Sequence, residues 1–190
     1  MRRVPVLLLP VLLTLPPGLA WGTTFIAKDF DKLVAEAEEI FVGTVIATES
    51  RKLPSGAIVT DVTFSSLRVL KGGEGTGETI LRVLGGTVGS ETLKLAGVPR
   101  FELGVTYLVF SKGNGKVIFP VVGGDQGLFQ IKRDPTTGDE LVFDSYGMVI
   151  TRPSVREATG GSGFQKDRNM PPVPVLLDAF IQAIKNRIGR

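Results

Sequence analysis

Ile58, Thr60, Val62 and Phe64 alternate with Val59, Asp61, Thr63 and Ser65, the period-two pattern of a strand with one face toward a core. Further along, Leu67 and Val69 are apolar while Arg68 is polar, so the apolar parity moves from even to odd positions. One extra residue at Ser65-Ser66 restores a single continuous core face. That is the signature of a β-bulge in a long, coiling strand. Bent long strands are what small barrels require.

The rest of the chain agrees with a β fold. Residues 40–48 form a β-branched run that is apolar on both faces, with Gly43 marking a bend or a close backbone approach. A polar turn over 49–56 follows. Residues 79–84 form the next strand. Gly85-Gly86 and Gly89 then bound a short excursion in which Leu93 and Leu95 alternate with Thr92 and Lys94. Residues 105–111 and 117–122 read as strands around the turn Gly113-Asn114-Gly115, and 128–132 pairs with 140–143 across Asp134-Pro135-Thr136-Thr137-Gly138. Six or seven strands at regular spacing predict an all-β barrel or sandwich. The 24 glycines and 12 prolines fit such turns, and 190 residues with 43% hydrophobic content suffice for one domain.

Two helices flank the strands. Phe30, Leu33, Val34 and Ala37 recur at helical spacing within 29–39, with Asp29 or Asp31 as cap. The stripe reads first as a helix packed on its own sheet and otherwise as a partner helix. At the other end, 172–190 predicts a helix with Pro174 in its first turn. Its stripe is Leu176, Leu177, Phe180, Ile181, Ile184 and Ile188, suited to docking on the barrel or, alternatively, to a membrane surface or partner. Between barrel and helix, 151–171 is polar, contains Gly160-Gly161-Ser162-Gly163, and reads as a linker or loop.

The first 22 residues carry the order of a secretory signal peptide: Arg2 and Arg3, an apolar run to Leu15, breakers at Pro16-Pro17-Gly18, and Ala20-Trp21-Gly22. The apolar run is shorter than the ~20 residues of a membrane span. Cleavage would leave a mature domain beginning Thr23-Thr24-Phe25, with the barrel over 23–150. Loss of Arg2 and Arg3 from a formal charge of +3 brings the mature chain close to neutrality. With no clustered basic face, nucleic-acid binding is not expected. The localisation expected is secreted or periplasmic, with no stable membrane span once the signal is removed.

Cysteine and histidine are both absent. This excludes Cys–His and Ser–His–Asp catalysis, His or Cys metal and haem sites, and disulfides. The loop Gly73-Glu74-Gly75-Thr76-Gly77 lacks the ending of a phosphate loop and precedes a strand. Asp134, Asp139 and Glu140 offer oxygen ligands, but their spacing is that of a turn. Asp61, Glu91, Glu102, Asp125 and Asp144 could supply the carboxylate pair of a hydrolase, yet nothing selects a pair. No cofactor, metal or catalytic residue is expected. Gly123, Gly124, Asp125, Gln126 and Gly127 form the best specialised loop, three glycines around two polar residues, or else a bulged crossover between strands.

The helix at 30–39 running into Ile40-Phe41-Val42-Gly43-Thr44-Val45, the long strand ending Leu70-Lys71-Gly72, and Tyr107-Leu108-Val109-Phe110-Ser111 before a Gly-Asn-Gly hairpin resemble the N-terminal domain of the tissue inhibitors of metalloproteinases and netrin-like modules. Val69-Leu70-Lys71-Gly72, Val98-Pro99-Arg100-Phe101 and the segment from Gly123 to Phe129 also resemble uncharacterised exported bacterial proteins with this barrel and no cysteine. The resemblance covers roughly 30–131. It implies an OB-fold-like barrel of five to seven strands, closed or partly open, with flanking helices. It further implies a non-enzymatic, exported protein-binding module whose partner is a secreted metalloprotease. The contacts would be Thr23, Thr24 and Phe25 with the rim loops at Gly85, Gly86 and Gly123 to Gly127. The competing expectation is a structural or envelope-assembly protein that uses the C-terminal helix.

Overall fold

The computed structural model describes residues 28–73, 77–152, 155–157, 164–166 and 173–189. The expected signal sequence, Thr23, Thr24 and Phe25, residues 74–76 of the glycine loop and Gly160–Gly163 lie outside the described residues.

Helix α1 (Phe30–Glu36) starts at Asp29, whose side chain accepts from the Lys32 backbone N–H. It ends three residues before the expected boundary, because Ala37 is already extended and β1 (Glu39–Lys52) begins at once. Lys71 Nζ donates to the Val34 carbonyl at 2.8 Å and the Ala35 carbonyl at 3.3 Å, which satisfies the helix end. β1 runs past the expected turn to Lys52 and pairs antiparallel with β2 (Ile58–Lys71). The turn itself is confined to Leu53–Gly56, closed by the Gly56 N–H to Leu53 carbonyl bond.

β2 carries the expected irregularity. Gly43 pairs with Ser66 and Val42 with Arg68, so one extra residue sits between them in β2, one position beyond the predicted bulge. A second shift skips Leu70 in β2 and a third skips Ile46 in β1. Phe64 and Val69, of opposite parity, accordingly belong to the same apolar group. Gly43 lies at the bend: a Cβ there would stand 3.0 Å from the Ser65 carbonyl and 3.1 Å from Phe64 Cβ.

β3 (Glu78–Leu84), β6 (Thr106–Ser111), β7 (Leu128–Arg133) and β8 (Glu140–Asp144) complete one antiparallel sheet in the order β3-β2-β1-β6-β7-β8. A separate hairpin joins β4 (Gly86–Val88) to β5 (Glu91–Leu93). Among the described residues the fold is therefore mainly β with two α-helices. The sheet is not closed into a barrel, since β3 and β8 do not pair. It is nevertheless curled. Asn114, three residues beyond β6, accepts from the Arg82 N–H and donates to the Ile80 carbonyl on β3. Three strand spacings, about 14 Å, would separate β6 from β3 in a flat sheet.

That reach corrects one expectation. Residues 117–122 are not a strand: Val117 and Ile118 are exposed, and only Ser111 and Val121 make an isolated bridge. Asn114 turns the start of the loop to the β3 edge, and Pro120 has no N–H for a ladder. The return to β6 is limited to the Lys112 N–H on the Pro120 carbonyl at 2.8 Å and the Val122 N–H on the Phe110 carbonyl at 2.9 Å. β6 pairs with β7 instead.

Apolar residues on one sheet face (Ile40, Val42, Leu108, Phe110, Phe129 and Val142) pack under both helices. Phe41, Phe64, Leu81, Tyr107 and Val109 fill the opposite, concave face, with Phe101 packed against them. α2 (Leu177–Ile188) begins three residues after Pro174, which lies in β12 (Val173–Pro174). β12 pairs with β9 (Thr151–Arg152), and the Val142 N–H donates to the Val175 carbonyl, so the chain pairs along β8 before it turns helical. Leu177, Ile181 and Ile184 are buried, so the helix docks on the sheet. Within the segment expected to be a linker, β10 (Val155–Glu157) pairs with β11 (Phe164–Lys166).

Candidate functional site

Two regions gather the polar groups singled out in the sequence. In the first, Gly123 and Gly124 take φ of 67° and 69°, which opens a single 3-10 turn over Gly124–Gly127 before β7. Gly127 allows a close approach, for a Cβ would stand 2.6 Å from the Val122 carbonyl. The segment ends the connection between β6 and β7. Gln126 Oε1 accepts from the Lys28 backbone N–H at 2.8 Å, and its Nε2 donates to the Gly123 carbonyl at 3.1 Å. The loop therefore fixes the chain just ahead of α1.

Asp125 accepts a hydrogen bond from the Tyr146 hydroxyl. That bond, followed by the carboxylate charge, raises the Tyr146 phenol above its ordinary value. Tyr146 stands in the turn after β8, held by the Tyr146 and Met148 N–H groups donating to Asp144 Oδ1 at 2.9 and 2.8 Å. Tyr146 is 80% exposed and Met148 68% exposed, so this rim presents two large side chains to solvent.

The second region is a cleft of about 330 Å³ at the end of the concave face. Val62 and Val83 belong both to the buried core and to its lining. Gly85 and Gly86, at φ of 106° and 130°, turn the β4–β5 hairpin across Thr60. A Cβ on Gly86 would stand 2.3 Å from Thr60 Oγ1 and 2.5 Å from Ser50 Oγ. Thr60 Oγ1 donates to the Gly85 carbonyl at 2.7 Å and meets Ser50 Oγ at 2.9 Å, which locks that crossing. Val98 and Phe101 form the opposing wall, with Lys94 and Arg100 beside them. The two expected rim loops are not brought into one site, because no residue of Gly123–Gly127 lines this cleft. The sequence pointed to Gly85 and Gly86 but missed the wall from Lys94 to Phe101, whose signal is two cations with no acid between them.

A hollow of about 360 Å³ between the helices is already committed, since Arg187 pairs with Asp31 and Lys71 bonds the α1 carbonyls. Most acids are likewise engaged in the fold. Asp61 accepts from Arg82 Nε at 2.6 Å and from Arg51 Nε at 3.4 Å, and the Arg82 bond holds its carboxyl below the usual range. Glu91 binds Lys52 at 2.7 Å. Asp134 caps its own turn by accepting from Thr136 and Thr137 N–H. Among the described residues, no group of three or more acids, cysteines or histidines could hold a metal ion. No described helix is long and apolar enough to cross a membrane. Compared with protein-family models, with curated proteins and with solved structures, the chain matches none.

Proposed function

We propose that the chain is an exported, non-enzymatic protein-binding module whose open, curled sheet is a partly open version of the OB-fold-like barrel of the metalloproteinase-inhibitor and netrin kind. Its contact is the rim formed by Asp125, Gln126, Tyr146 and Met148, beside the start of the described chain at Lys28. The observation that carries this reading is the Gln126–Lys28 bond, which ties the start of the described chain to the glycine loop. Tyr146 and Met148 beside it supply the aromatic and soft apolar surface typical of binding hot spots.

Several residues behind the resemblance also have work in the fold. Lys71 caps α1, and Gly72 at φ 60° passes the Glu38 carbonyl, which a Cβ would approach to 2.2 Å. A secreted metalloprotease is the partner class that the resemblance implies. The envelope-assembly alternative is weaker, because α2 buries Leu177, Ile181 and Ile184 against the sheet and keeps little apolar surface for a partner.

The test is to export the chain from a bacterial host, sequence its new N-terminus, and titrate it against secreted zinc endopeptidases. Stoichiometric inhibition is expected. Deleting Thr23–Phe25, or combining Tyr146→Ala with Met148→Ala, should weaken it about thirtyfold, the cost of one hot spot near 2 kcal/mol. Undiminished binding after both changes would overturn the rim assignment. Absence of binding to any such protease would overturn the partner class.

A further inference from the structure

From the cleft beneath the β4–β5 hairpin, we infer a second binding site, for a small amphiphile with an apolar body and one anionic group. It shares no residue with the Asp125–Tyr146 rim and stands independently of the protein-binding reading. The apolar part is set by position. Val62 and Val83 continue the buried core of the concave face into the cleft floor, and Val98 and Phe101 wall it. A volume of about 330 Å³ lies at the lower end of the range of small-molecule sites, roughly 300–1,000 Å³.

The sign of the head group follows from charge accounting. Lys94 and Arg100 line the cleft, and no Asp or Glu does. The hairpin's one acid, Glu91, is held outside by Lys52 through two contacts of 2.7 and 2.9 Å. Elsewhere several described bases are matched: Lys28 with Glu36, Arg51 and Arg82 with Asp61, Arg68 with Asp178, Arg187 with Asp31. Lys112, Lys116 and Lys185 form no ion pair among the described residues, but they do not line the cleft. Lys94 and Arg100 form no ion pair among the described residues. Two unmatched cations at the mouth of an apolar cleft favour a carboxylate or similar anion over a neutral or cationic head.

The hydroxyls complete the site without competing for the ligand. Thr87 and Thr92 pair across the hairpin at 3.0 Å, and Thr60 is tied to Gly85. The hairpin wall is therefore fixed before binding, which limits the ordering cost.

Calorimetric titration of the full chain with octanoate, 1-octanol and octyltrimethylammonium tests the inference. Octanoate should bind at least about tenfold more tightly than the other two, the scale of one charge-assisted hydrogen bond. The double change Lys94→Ala with Arg100→Ala should abolish that preference, bringing octanoate to the affinity of 1-octanol in the same variant. Both side chains are exposed, so the unfolding midpoint should hold; Lys94→Gln with Arg100→Gln provides a milder pair if it does not. Amide resonances of Gly85, Gly86 and Thr92 should shift with octanoate. Equal affinity for the three probes, no saturable binding at millimolar octanoate, or shifts confined to Gly123–Gly127 would each overturn the site.

Discussion

On the helix side of the sheet, Phe30, Phe110, Phe129 and Phe180 make a connected set of rings, with centroids 5.0 to 6.4 Å apart. On the concave side, Phe41, Phe64, Phe101 and Tyr107 do the same at 5.3 to 6.5 Å. The aromatic content is matched; the covers are not. α1 and α2 bring preformed apolar stripes to the first face. Among the described residues, no helix packs on the second face. It is buried by its own curvature and by the segment carrying Val98, Phe101 and Val105. A helix closes a face along its whole length, whereas a curled sheet with a loop wall leaves an end open, and the cleft lies at that end.

The largest test of this difference removes one anchor from each side. Phe64 contacts rings from β1, β6 and the loop wall, so Phe64→Ala should cost about 3–5 kcal/mol; Ile184→Ala under α2 should cost about 2–4 kcal/mol. Denaturant midpoints read both, with unchanged m-values if the unfolding remains two-state. A loss below about 1 kcal/mol for Ile184→Ala would mean that α2 does not hold its face.

Next in size is the cap on the curl. Asn114→Ala removes a donor to the Ile80 carbonyl and an acceptor for the Arg82 N–H, a loss of about 1 kcal/mol. It also uncovers the β3 edge, so light scattering should register concentration-dependent association absent from the parent chain. A monomeric variant of unchanged stability would show that the curvature is fixed by the bulges alone.

The smallest effect lies at Asp61, between Arg51 and Arg82. Its folded carboxyl titrates below the ordinary value, chiefly through the Arg82 hydrogen bond. Its contribution is therefore present above the unfolded pKa of about 3.9 and fades as pH falls through the lower folded value. Asp61→Asn should destabilise the chain at pH 7 by less than about 1 kcal/mol, since the pair is partly exposed. The gap between parent and variant should shrink below pH 4. A gap constant down to pH 2 would assign the loss to packing instead.

The periodic elements were legible. α1 followed from Phe30, Leu33, Val34 and the Asp29 cap, β2 from its parity change, and the β7–β8 hairpin from Asp134-Pro135 and Gly138. Residues 117–122 misled because β-branched composition cannot show that Asn114 reaches another strand's edge. Pro174 misled because its fixed φ suits a short extended pairing as well as a helix start. The cleft was half legible. Gly85 and Gly86 announce an unusual backbone, but Thr48, Val62, Val98 and Arg100 meet only through pairings between distant segments. That Lys94 and Arg100 share the cleft with no acid emerges only once the fold has placed Glu91 on Lys52.

The sheet joins two meanders. β1, β2 and β3 follow one another through local turns, as do β7 and β8, and only β1 against β6 stitches the halves together. At that seam the Thr44 and Thr106 hydroxyls meet at 2.8 Å although they are 62 positions apart. In kinetic terms, a loop of this length must close before the two halves share a core, so the seam weighs on folding rate more than on stability. The closing loop contains β4, β5 and the wall from Lys94 to Phe101. Because closure entropy grows only logarithmically with length, this stretch can lengthen, shorten or change sequence at little thermodynamic cost. The cleft thus sets a floor of core strand residues, Val62 and Val83, under a wall from the part of the chain that the fold constrains least.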